Sequence, residues 1–140
     1  MHTISDTDRS LLQAFENYTL DVNAFHHREH VRLAYILLVL NDVSSAHSKM
    51  RSGLTRLLSQ NGIDIGTFHE TLTFAWIKAV KHCMYLTSRV KSSEEFLALN
   101  HALNDKDSIF NHYSRELIAA DLAKRTYVPP DLEPIPEHGD

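Results

Sequence analysis

The chain has 140 residues, 43% of them apolar and 23% charged, with a formal net charge of −4. That length fits one domain able to bury a sizeable core, and the acidic balance excludes a general attraction to nucleic acid or anionic lipid. The one cysteine, Cys83, excludes an internal disulfide and any cysteine-rich zinc site.

Glycine and proline are scarce, at four residues each, which favours helices over a many-turned β fold. The first helix is expected from Asp6 to Asn17, capped by Ser5, with Leu11, Leu12, Phe15 and Tyr18 at helical spacing. A second runs from His26 to Asn41. Its back half, Ala34 to Leu40, is apolar all round and marks a central helix buried on most faces. A third spans Ser44 to Gln60 and stops at Asn61-Gly62. The spacing Thr67-x-x-Glu70 predicts a capping box opening a fourth helix that reaches Arg89, and Ser92-x-x-Glu95 opens a shorter fifth. A last helical region covers Ser108 to Tyr127, with a break near Tyr113-Ser114. The expectation is an all-α domain over residues 1–127, a compact bundle of five or six helices, followed by an extended Pro-rich tail over 128–140. No apolar run is long enough to span a membrane and the first residues lack a signal-peptide core, so a cytoplasmic location is expected by default.

Ten histidines stand in the chain, and three lie in one short run, His26-His27-Arg28-Glu29-His30. On a helix, His26 and His30 (i, i+4) or His27 and His30 (i, i+3) can place two imidazoles on one metal ion; the bland alternative is that they cap the helix or face water. His69 shares a helical face with Thr73, Trp76 and Val80, so it is expected to point inward. Glu70 reads either as the capping-box partner of Thr67 or as a carboxylate ligand or general base. His112 and Glu116 form a third i, i+4 pair beside Tyr113, a residue able to donate a proton; a surface pair at a helix start capped by Ser114 fits the same letters. Cys83 has no expected base beside it and reads as a buried thiol.

The run Phe25-x-His27-Arg28-Glu29-His30-Val31-x-Leu33-Ala34 resembles the opening motif of a widespread bacterial family of small helical proteins without an assigned activity. The resemblance continues through Phe68-His69-Glu70-Thr71-x-Thr73, Tyr113-Ser114-x-Glu116 and Pro130-Asp131-Leu132-x-Pro134-x-Pro136. It implies a polar centre of His27, His30, His69 and Glu70, gives His26 and His112 a lesser part, and suggests that Asp131 pins the tail by pairing with Arg125 or Arg28.

These observations lead to the expectation of a metal-dependent enzyme acting on a small molecule. His27, His30 and His69 would hold one divalent ion, zinc or iron, with Glu70 and Tyr113 as catalytic groups. The competing expectation is a non-catalytic ligand-binding or interaction module, in which the same residues form a buried hydrogen-bond network without metal.

Overall fold

A computed structural model describes residues 1–138, and among them every regular element is helical: α1 (Asp6–Glu16), α2 (His27–Leu40), α3 (Val43–Gln60), α4 (Glu70–Leu86), α5 (Ser93–Leu99), α6 (Arg115–Ala119) and α7 (Asp121–Arg125), joined by short 3-10 turns. None is long and apolar enough to cross a membrane. The last two residues of the expected tail, Gly139 and Asp140, lie outside the described residues.

The apolar run in α2 becomes the spine of the core. Leu33 through Leu38 are all buried, and α1, α3, α4 and α5 pack around them. Each large aliphatic side chain taken fully out of water stabilises by about 1.5–3 kcal/mol, so Leu33, Ile36, Leu37 and Leu38 together make this segment a major contributor to the packing energy.

α1 starts where Ser5 caps it, its Oγ accepting from Asp8 N–H at 3.1 Å. Asp8 itself is buried. Its carboxylate accepts from Ser5 N–H (3.2 Å), Ser93 N–H (2.8 Å), the Ser93 hydroxyl and the Arg32 guanidinium (3.3 Å), joining α1, α2 and α5 in one network. Burial pushes its pKa up, but the donors from Ser93, Ser5 and Arg32 outweigh burial and hold it below the usual carboxylate range.

α1 crosses α3 where the latter has no side chain. A Cβ on Gly53 would lie 2.0–2.7 Å from three atoms of the Phe15 ring, and that ring is buried. Gly53→Ala should therefore lower stability by ~1–3 kcal/mol through overpacking, against a helix-propensity gain of ~1 kcal/mol. Urea denaturation measures this; an unchanged or raised midpoint would show that Phe15 has room to move.

The helix starts and ends differ from expectation in instructive places. The fourth helix begins at Glu70, not Thr67, and its N-cap is His69, whose Nδ1 accepts from Leu72 N–H at 3.1 Å. An imidazole lone pair replaces the expected threonine hydroxyl. The last helical region is divided, with Ser114 capping α6 and Ala120 standing between α6 and α7.

Beyond Tyr127 the chain lies against the body at several points. Thr71 Oγ donates to Thr126 O and accepts from Val128 N–H, and Ile135 is buried. Lys78 pairs with Glu137. His138 lies 2.8 Å from His82, their rings nearly coplanar, 5.1 Å between centroids. Asp131 pairs with neither Arg125 nor Arg28: it accepts from Ser114 N–H (2.8 Å) and Ser114 Oγ–H (2.6 Å), while Arg125 pairs with Asp121 one turn back.

Candidate functional site

The N-terminal ends of α2 and α4 lie side by side, and between them opens a cavity of about 600 Å³. From α2 and its approach come Phe25, His27 and His30; from α4 and its approach, Phe68, His69, Leu72, Thr73 and Trp76. Leu54, Leu57 and Leu58 near the end of α3 form another wall, and Ile109 and Phe110 of the 3-10 turn Lys106–Asn111 close the far side. The lining is mostly apolar and aromatic with a few polar groups, and its volume suits a small organic molecule.

The three histidines expected to act together do share this cavity, in different chemical states. His69 is engaged at both nitrogens: besides accepting from Leu72 N–H, it lies with Nε2 2.8 Å from Ile118 O. A carbonyl can only accept, so the proton sits on Nε2. His27 likewise carries a proton on Nε2, which faces Leu103 O at 2.8 Å, and its ring rests edge-on against Trp76 with centroids 4.5 Å apart.

His30 differs from both. Its Nε2 is buried and has no hydrogen-bond partner among the described residues. Burial, and then the nearby His27 at 6.5 Å between ring centroids, lower its pKa to about 4, so the ring is neutral at pH 7.

A divalent ion requires ligand lone pairs converging on one point about 2 Å away. His69 has none to give without breaking a hydrogen bond, and among the described residues no three His, Cys, Asp or Glu side chains are grouped to hold a metal ion. The donor set as folded does not fit the expected centre.

Glu70 and Tyr113 stand apart from the cavity. With its capping duty taken by His69, Glu70 turns to α3, accepting from Arg51 Nε at 2.7 Å and lying 2.8 Å from His47 Nε2. Burial raises its pKa, but Arg51 and His47 more than offset this and keep it ionised well below the usual range. The buried Tyr113 hydroxyl donates to Val128 O at 2.8 Å beside Tyr127, and burial with that neighbour pushes its pKa up, away from any acid role near neutrality.

The remaining histidine candidates also resolve. His26 is exposed, its backbone N–H donating to Glu29 at 2.9 Å. His112 precedes the α6 cap rather than sharing a helix with Glu116, and its Nδ1 lies 2.7 Å from Glu133 O. Burial raises the Cys83 thiol.

Two cations complete the rim. Arg115 lies over the Phe110 ring at 4.0 Å, and Lys106 stands next to the lining carboxylate Asp107 in sequence. Neither makes an ion pair among the described residues. This wall was not anticipated from the sequence, where neither Lys106 nor Arg115 stood out as a candidate. Comparison with known protein families, with curated proteins and with solved structures yielded no match to this chain, so the motif resemblance brings no assigned activity to the cavity.

Proposed function

We propose that this protein is a non-catalytic binder of a small, largely apolar molecule, held between the starts of α2 and α4. One observation carries the reading. A cavity of about 600 Å³ with aromatic walls is also lined by His30, whose buried Nε2 has no hydrogen-bond partner among the described residues. Buried polar groups are normally satisfied, and the exceptions in a native chain need a reason. His27 and His69 are locked by backbone carbonyls as scaffolding, while Glu70 and Tyr113, the groups best suited to acid–base work, are engaged elsewhere.

The neutral fluorophore N-phenyl-1-naphthylamine tests this. It should bind with one-to-one stoichiometry and brighten, and Leu54→Trp, which fills the cavity, should abolish the signal while the fold persists by circular dichroism. Absence of saturable binding to the wild type removes the proposal. Metal content of tag-free protein addresses the metal-dependent alternative: we expect no stoichiometric zinc or iron that disappears in His30→Ala and His69→Ala.

A further inference from the structure

Resting on that cavity, the ligand class can be narrowed from the groups that line it. Lys106 and Arg115 both lie on the lining, and among the described residues neither side chain makes a hydrogen bond or an ion pair. Among the described residues Arg115 is held by its stacking on Phe110, itself a wall residue, which places the guanidinium without engaging its N–H donors. Asp107 is the one carboxylate among the lining residues, so cations outnumber anions there.

His30 adds a directional group. With the ring neutral, one nitrogen carries the proton and the other a lone pair. A buried N–H without an acceptor is rarer and costlier than a buried lone pair, which places the lone pair on the enclosed Nε2 and the proton on Nδ1. Nδ1 has no partner among the described residues either, and it is not among the enclosed atoms. His30 thus offers an N–H donor on a residue that lines the cavity.

From the apolar walls, the two unpaired cations and this neutral donor, we infer that the cavity takes an amphipathic organic carboxylic acid. Its hydrocarbon or aromatic body would pack against Phe25, Phe68, Leu72 and Trp76, and its carboxylate would be met by Arg115 and Lys106. The charge complement sets the polarity of the bound molecule: an apolar cation of the same size would face two like charges, and a neutral analogue would leave both unsatisfied.

The test compares octanoate with octanamide, which share chain length and differ in charge, using calorimetry and the fluorescence of Trp76, the chain's one tryptophan. Octanoate should bind about tenfold or more tightly than octanamide, the worth of a charge-assisted hydrogen bond. Arg115→Gln with Lys106→Gln, both at exposed positions, should lower octanoate affinity by about the same factor and leave octanamide unchanged. Equal binding of the two compounds to the wild type would overturn the carboxylate assignment and leave the cavity reading intact. If neither they nor N-phenyl-1-naphthylamine binds, the cavity reading itself falls.

Discussion

Asp8→Ala should cost the fold about 3–5 kcal/mol, the range for removing one partner from a buried, hydrogen-bonded charge pair. The carboxylate is fully buried and takes donors from Ser5, Ser93 and Arg32. Its removal leaves the Arg32 guanidinium, itself largely shielded, with only the Ser93 hydroxyl, and leaves the Ser93 N–H at the start of α5 without an acceptor. Asp8→Asn keeps the shape and loses the charge, so a smaller loss is expected. Urea denaturation at pH 7 followed by circular dichroism reads both, and a loss below about 1 kcal/mol for Asp8→Ala would mean that desolvation of the ion pair cancels its bonding. The sign with pH follows from the depressed folded pKa. Stability supplied by Asp8 is present above the unfolded value, near 3.8, and is lost as pH falls through the lower folded value.

His30→Leu should have the opposite sign. It removes the buried nitrogen that lacks a partner while roughly conserving volume, and we expect a gain of about 1–2 kcal/mol at pH 7.5 together with weaker binding of octanoate. Stability gained where a ligand contact is lost is the signature of a site rather than of a core residue. The pH profile gives a second reading. With a folded pKa of about 4 against an ordinary 6.5, the unfolded chain takes up a proton below pH 6.5 that the folded ring refuses. The wild type therefore loses roughly 3 kcal/mol from this group between pH 6.5 and 4, an order-of-magnitude figure; above pH 6.5 both states are neutral and the contribution vanishes. In His30→Leu that slope should fall by about one proton. Parallel stability–pH curves for the two proteins would show that His30 is solvated in the folded state.

How much of this was readable in the letters depends on the range of the interactions involved. The spine helix was legible because Ala34 to Leu40 leaves no polar face, and the cap at Ser5 because a hydroxyl three residues before Asp8 is a local device. Thr67-x-x-Glu70 misled for the same reason. The local rule has no place for a histidine as N-cap, and once His69 took that role Glu70 was free for Arg51 and His47, 19 and 23 residues away. His27, His30 and His69 reach one cavity, as their helical faces suggested, yet which nitrogens remain available was decided by carbonyls at Leu103 and Ile118, which have no sequence signature. The cationic wall was hidden because Lys106 lies in a short 3-10 turn, which carries no periodicity, and Arg115 in a helix of five residues, too short to show a face.

The reach of Asp8 also bears on how the chain is made. Its main partner, Ser93, lies 85 residues further along, and Thr3 N–H waits similarly for Val90 O. A ribosome delivers the N-terminus first, so α1 emerges with an ionised side chain that has no permanent place in the protein until α5 has appeared. Before then, α1 can pair with the apolar spine only with Ser5 and Arg32 as donors to the carboxylate, short of the two bonds that Ser93 adds. The full set of donors to Asp8 is therefore complete only once residue 93 has been made, so the last of the bonds that fix α1 depend on a segment made late.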